Sequence, residues 1–308
     1  MKKCAIVYNP ESGRQIDKKN INNLPKLLNK KEYEVLMCPT KGPKDAIQIV
    51  KDLENDIDLV ICAGGDGTLN EGIAGNLQRK KKLLLSQIPI GTTNDVGTMY
   101  GYTKDMKSNV EKLVNGSEKN IDVLMLNKTP FIYVACIGSY VDVSYNTPRE
   151  LKKKFGHLGY LFSALHSFNS EKIKQFELTY EVGKIKKSGT YSFIFITNTS
   201  RMGGVNNIYN DVKLDDNMFE VALCNVKTKA ELLLIGSKIL TNEIKDIKEI
   251  EYYKTDKFKI TFDEVPPSWV MDGEEYKHNE KQFIFTINKE MNMLVPNKNI
   301  DKLFIEED

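Results

Sequence analysis

The chain has 308 residues, 41% hydrophobic and 28% charged, the balance of a soluble globular protein with room for two ordinary domains or one large one. Its 44 basic and 42 acidic side chains nearly cancel, which excludes the clear basic excess of a nucleic-acid binder. No segment approaches the roughly 18 consecutive apolar residues of a membrane span, and the scattered Cys4, Cys38, Cys62, Cys136 and Cys224 read as reduced core residues of a cytoplasmic protein.

In chain order, the first hundred residues alternate between two periodicities. CAIVYN (4–9) is a short strand, stopped by Asn9, Pro10 and Glu11 too early for a signal peptide. Ile21, Leu24, Leu27 and Leu28 share one helix face. YEVLMC (33–38) is a second strand, and Ala46, Ile49, Val50 and Leu53 mark a second helix. DLVICAG (58–64), almost continuously apolar, reads as a strand covered on both faces, and LLLSQIPIG (83–91) as a fourth. This alternation predicts an α/β domain with an open parallel sheet. The run Arg79–Lys82 reads as a solvated turn between elements.

The texture changes after residue 120. IDVLMLN, FIYVACIGSYVDVSYN, KQFELTYEV, GTYSFIFITNT, MFEVALCNV, KFKITF and KQFIFTIN are closely spaced strand candidates, and many alternate apolar with polar residues. They predict an antiparallel β-sandwich, interrupted by helices near 148–168 and 228–241. The three histidines have no metal-ligand spacing.

CAGGDGTLNEGIAG (62–75) raises a chemical question, because its glycines surround a single acid. A strand ending at Gly64-Gly65 and leading to a helix puts a glycine-rich turn at the carboxyl edge of the sheet, where ligands bind. Glycines let main-chain N–H groups approach an anion, and a helix N-terminus favours phosphate. Thr68-Leu69-Asn70-Glu71 fits a capping box, with the helix starting near Leu69 and Leu69, Ile73 and Leu77 as its buried stripe. Asp66 beside a phosphate makes sense as a holder of Mg²⁺ or of water bound to it; the alternative is a tight turn whose aspartate caps a helix. IPIGTTNDVG (88–97) and NPESG (9–13) repeat this chemistry at two further strand ends.

These motifs, in this order and spacing, resemble the diacylglycerol kinase catalytic-domain family, in particular the soluble bacterial lipid kinases. NPESG, GGDGTLNE (64–71) and PIGTTND (89–95) match the family's N-terminal motifs. LKKKFGHLGY (151–160), LDDNMFEV (214–221) and MDGE (271–274) resemble its later ones. The resemblance implies an ATP-binding α/β domain over 1–120, completed by about 291–308, and a β-sandwich domain for the lipid substrate over 121–290, with the active site in a cleft between them. It also implies residue roles. Gly64, Gly65, Asp66, Gly67 and Thr68 would hold ATP phosphates and water-linked Mg²⁺. Asn9, Ser12, Thr92 and Thr93 would support the nucleotide, within a polar network containing Asn94 and Asp95. Asp272 would be the general base, with Glu274 a neighbouring ligand or orienting group. Asp215, Asp216 and the Met218 carbonyl would bind a structural Mg²⁺, and one of Lys152, Lys153 and Lys154 would face the site. Val96-Gly97-Thr98 departs from the aromatic, alanine and arginine usual in relatives, and Arg14 stands where a lysine is common.

The expected activity is phosphorylation of the diacylglycerol hydroxyl to phosphatidic acid. The alternatives are a sphingoid-type lipid kinase or a non-catalytic nucleotide- or lipid-binding regulator on the same fold. NAD kinase shares GGDGT but lacks the late DGE. The basic, apolar segment 149–168 is a candidate for contact with a membrane surface. Exposed strand edges in the second domain would suit a homodimer.

Overall fold

The structure is a computed structural model that describes residues 1–10, 15–91, 94–138, 173–202, 205–206, 208–239 and 243–306. The described residues of 1–123, 214–216 and 288–308 form one compact unit, and those of 124–213 and 217–287 form another.

The first unit follows the alternation of the sequence: β1 (Lys2–Tyr8), α1 (Gln15–Asn29), β2 (Tyr33–Pro39), α2 (Asp45–Asp52), β3 (Leu59–Gly64), α3 (Asp66–Leu77), β4 (Leu85–Pro89), α4 (Asp95–Met99) and α5 (Met106–Val114). The strands are parallel in the order β2-β1-β3-β4. Every residue of β3 is buried, as its unbroken apolar run requires of a central parallel strand. The connection from β1 goes to β2 on one side, and β3 then returns to the other. The carboxyl end of the β1–β3 pair is therefore a topological switch point, where α/β sheets bind ligands.

Two local expectations are corrected here. Helix α3 starts at Asp66 with Gly65 as its N-cap, so Thr68 does not open a capping box. Glu71 instead accepts from the N–H groups of Lys44 (2.8 Å) and Ala46 (3.2 Å), capping α2 from a neighbouring helix. Lys44, the N-cap of α2, has φ 67° and no side-chain cap of its own, which leaves those donors to Glu71. Leu69 and Ile73 are buried, but Gly72, Gly75 and Asn76 complete the face and Leu77 is only half-buried. The second correction concerns Arg79, which is 7% exposed and not solvated. Its Nη1 donates to the carbonyls of Val50 (2.9 Å), Lys51 (2.8 Å) and Leu53 (2.6 Å), closing the carboxyl end of α2. Its Nη2 reaches Asn55 Oδ1 at 2.8 Å. Both ends of α2 are thus held by side chains from α3 and the turn after it.

The second unit contains two antiparallel layers. Its strands are β5 (Ser117–Leu126, entering from the first unit), β6 (Thr129–Phe131), β7 (Val134–Gly138), β8 (Phe176–Val182), β9 (Ile185–Tyr191), β10 (Phe193–Thr197), β11 (Arg201–Met202), β12 (Val205–Asn206) and β13 (Phe219–Cys224). Helix α6 (Lys229–Ile239) precedes β14 (Ile250–Thr255), β15 (Phe258–Phe262), β16 (Trp269–Met271), β17 (Glu274–Tyr276) and β18 (Gln282–Val295). One layer runs β14-β13-β10-β7-β16-β17, and the other runs from β18 through β15 and β8 to β9. Alternate residues of the facing strands fill the space between the layers: Ile194 and Ile196, Val221 and Leu223, Phe258 and Ile260, Phe283 and Phe285, around Trp269. Trp269 and Phe285 meet edge to face with centroids 5.2 Å apart. Fully burying a large apolar side chain contributes about 1.5–3 kcal/mol, so this cluster holds the unit together. The last residues of β18 belong to the first unit, where Met293 pairs in parallel with Leu85, and α7 (Ile300–Leu303) follows.

All five cysteines are free, and burial pushes the Cys62 thiol, beneath α3, up to about 12. Among the described residues, no helix is long and apolar enough to cross a membrane.

Candidate active site

Three motif-bearing turns emerge at the carboxyl ends of neighbouring parallel strands. Asn9 follows β1, Gly64 ends β3, and Gly91 follows β4. β3 is the middle strand, with Ala63 level with Tyr8 and Gly64 level with Pro89. The two glycine turns touch through their backbones. Ile90 N–H donates to the Gly64 carbonyl at 3.0 Å, and a Cβ on Gly91 would lie 2.6 Å from the Gly65 Cα. Only glycine tolerates that approach. Asn94, at φ 51°, closes its own turn. Its Oδ1 accepts from Gly91 N–H at 2.9 Å, and its Nδ2 donates to the Gly91 carbonyl at 2.8 Å.

Asp66 joins the two turns. It is 8% exposed, and its Oδ2 accepts from Asp95 N–H at 2.8 Å. Its Oδ1 accepts from Val96 N–H at 3.3 Å and, more weakly, from Gln87 Nε2 at 3.4 Å. Asn94, the N-cap of α4, makes no side-chain cap, so Asp66 supplies one from another segment. Asp95 is buried at the start of the helix so capped. The sequence offered Asp66 as a holder of Mg²⁺ or its water, or as a helix cap; its carboxylate caps α4 and braces the two turns. Thr68 folds over Gly64, where a Cβ would meet its Oγ1 at 2.2 Å, whereas a Cβ on Gly67 would meet nothing within 4 Å. Gly65 has no side chain with which to cap α3, so the first turn presents N–H groups beside the open space at Gly67.

The second unit holds a different carboxylate. Asp272 and Gly273 form the two-residue turn between β16 and β17, with φ 49° and 89°, the left-handed pair that tight hairpins use. Asp272 is 6% exposed. Its Oδ2 accepts from Ile132 N–H at 2.7 Å, and its Oδ1 from Tyr133 N–H at 3.0 Å and Val134 N–H at 3.1 Å. Its own N–H donates to the Val134 carbonyl at 2.8 Å. Three donors thus fix the direction of the carboxylate. Glu274 is exposed at the start of β17, and main-chain N–H groups orient the Asp272 carboxylate.

Asp215 and Asp216 belong to the first unit, where Asp215 Oδ1 accepts from Ile305 N–H at 2.9 Å and Leu214 pairs with Leu303 and Asp122. Met218 belongs to the second unit, directly before β13. Ser12, Arg14, Thr92, Thr93, Lys152, Lys153, Lys154 and the segment 149–168 lie outside the described residues. The sequence reading passed over the donors at 132–134, which have no side-chain signature. It also passed over Thr197-Asn198-Thr199-Ser200, four consecutive buried polar residues at and just past the end of β10. Their signal was a polar run straight after the apolar FIFI.

The family profile described as the diacylglycerol kinase catalytic domain matches residues 3–126. The chain is 30% identical over 266 residues to a diacylglycerol kinase of Bacillus subtilis, covering 86% of this chain and 87% of that protein. A diacylglycerol kinase of Staphylococcus haemolyticus is 30% identical over 234 residues, covering 75% of this chain and 70% of its own length. The crystal structure of a diacylglycerol kinase from Bacillus anthracis superposes with a TM-score of 0.77 at 17% identity, covering 97% of this chain and 98% of that one.

Proposed function

The chain belongs to the diacylglycerol kinase family and is a lipid kinase of that type; on that premise we propose that it transfers the γ-phosphate of ATP, with Mg²⁺, to the free hydroxyl of diacylglycerol, giving phosphatidic acid. In this reading the first unit binds the nucleotide and the second the lipid. The observation that carries it is the convergence of three anion-suited turns at the switch point of the parallel sheet, braced by Asp66 and by the backbone contact of Gly65 and Gly91.

Phosphoryl transfer asks a protein chiefly for positioning and charge neutralisation. The first turn of α3 supplies N–H donors, and Gly67 leaves the room in which phosphate oxygens approach them. The donor set also fits Mg²⁺. Among the described residues no three His, Cys, Asp or Glu side chains gather into a cage, while Asp66 and Asp95 are buried carboxylates at the phosphate turns. Mg²⁺ commonly takes one or two carboxylates, waters and substrate phosphates. When bound it neutralises charge on the phosphates. Asp216 and Asp215 are the oxygen donors proposed for a second, structural Mg²⁺.

Asp272 is the proposed base. It accepts the proton of the acceptor hydroxyl as the new O–P bond forms and the bond from the γ-phosphorus to the bridging oxygen breaks, releasing ADP. A base must stand about 2.6–3.2 Å from the proton donor's oxygen, and the three N–H groups that hold Asp272 fix its direction. The test is transfer of labelled γ-phosphate to diacylglycerol in mixed micelles with Mg²⁺, comparing the native protein with Asp272→Asn. The expected loss is about 10²–10⁴-fold. Equal label in both would remove Asp272 from the mechanism. If the native protein labels only another lipid alcohol, such as a sphingoid base, the acceptor assignment falls and the kinase remains.

A further inference from the structure

The polar run after β10 contains groups that the fold leaves unanswered. Asn198 is 1% exposed, and neither its Oδ1 nor its Nδ2 has a hydrogen-bond partner among the described residues. Thr197 and Tyr209 are fully buried, and their hydroxyls face each other without closing a hydrogen bond. Burial pushes the Tyr209 hydroxyl pKa upward, so it stays neutral and can donate. A buried amide with both ends unpaired is costly, and native proteins retain such groups where a ligand or an ordered water answers them. Three residues of this kind share one end of one unit.

That end also holds Asp272. Asn198 N–H donates to the Tyr133 carbonyl at 3.1 Å, while Tyr133 N–H donates to Asp272 Oδ1 at 3.0 Å. Thr197 pairs with Val134, and Val134 exchanges hydrogen bonds with Asp272. Asn198 and Asp272 therefore flank the same stretch of chain at 133–134, about two strand spacings or roughly 10 Å apart.

We propose that Asn198 binds the headgroup of the lipid acceptor on the side away from the hydroxyl that Asp272 deprotonates, its Nδ2 donating to an ester carbonyl oxygen, with Thr197 and Tyr209 completing the polar lining. The chemistry suits an acylated lipid because the amide NH₂ is a donor and the ester carbonyl next to the reacting alcohol is an acceptor. The assignment rests on the lipid-kinase reading above and adds an acceptor-binding residue to it.

The test uses the full chain and the variants Asn198→Leu, Thr197→Val and Tyr209→Phe, with diacylglycerol in mixed micelles, ATP titrations and thermal melts. Asn198→Leu should lower kcat/KM for diacylglycerol about a hundredfold and leave KM for ATP within about twofold. Its Tm should stay level or rise by about 2–4 °C, because an unpaired buried amide has been removed. Thr197→Val and Tyr209→Phe should weaken the acceptor side alone, by smaller factors. If kcat/KM for diacylglycerol is unchanged in all three, the assignment is wrong. If Tm falls by several degrees and both substrates are affected alike, these residues hold a structural water only and the assignment is equally wrong. Failure of the underlying kinase reading would show first, as native protein that binds ATP and labels no lipid alcohol, and the role of Asn198 would fall with it.

Discussion

Asp66 in the first unit and Asp272 in the second are both buried carboxylates bonded to main-chain N–H groups, yet the two units hold them differently. Among the described hydrogen bonds, Asp66 accepts one short one, from Asp95 N–H, and two longer ones, from Val96 N–H and Gln87 Nε2. Asp272 has three bonds of 2.7–3.1 Å to consecutive residues. Asp66 braces two turns of a parallel sheet whose contact is already made by glycine backbones; Asp272 is the anchor of its own hairpin. The parallel unit would thus build its proposed site from backbone and space, and the antiparallel unit its proposed base from a side chain locked by strand ends.

The sharpest way to break this comparison is to neutralise each acid in turn. Asp272→Asn sets an amide NH₂ against N–H donors and should destabilise the protein by about 2–4 kcal/mol in denaturant unfolding. Asp66→Asn should change stability by less than about 1 kcal/mol, because the buried Gln87 Oε1 is without a partner and can accept from the new amide. Equal losses would erase the distinction.

A second test asks whether the parallel unit depends on main-chain capping. Arg79→Met removes the donor that closes α2 onto the carbonyls of Val50, Lys51 and Leu53, and should cost about 2–3 kcal/mol. A loss near zero, as for a solvated arginine, would restore the reading of that run as an exposed turn.

Single methyl groups test the backbone contact and the open space of the parallel unit. Gly91→Ala drives a Cβ into the Gly65 backbone and should cost about 1–3 kcal/mol along with nucleotide affinity. Gly67→Ala enters open space on a helix and should stabilise by up to about 1 kcal/mol. It should still weaken ATP binding, measured by calorimetry, by filling the phosphate approach. Unchanged ATP affinity in Gly67→Ala would remove phosphate from that corner.

Much of the fold was legible because its signals are local. The unbroken apolar run of β3, the helical spacing of Ala46 and Val50, and the alternation in KFKITF each report burial of their own segment. The Asp272-Gly273 turn was legible too, since both positions need positive φ and that pair of residues supplies it. Capping was not. Glu71 fitted a capping box for its own helix, but its partners proved to be Lys44 and Ala46, and Arg79 looked solvated because its carbonyl partners are 26–29 residues away. A charged side chain's fate depends on which chain end folds beside it, and no local period encodes that.

Local signals in the sequence settled the class of each unit, the strand ends where glycine-rich turns emerge, and the family to which the motifs belong, because periodicity and glycine placement act over a few residues. Tertiary structure decided which backbone groups those residues answer. Asp272 meets donors 138–140 residues away, Asp66 meets a helix 29–30 residues on, and Asn198 is buried with its amide unmet. The physical reason is that a buried polar group must find its partner wherever the packed chain brings one within about 3 Å, and that neighbour is chosen by the whole fold.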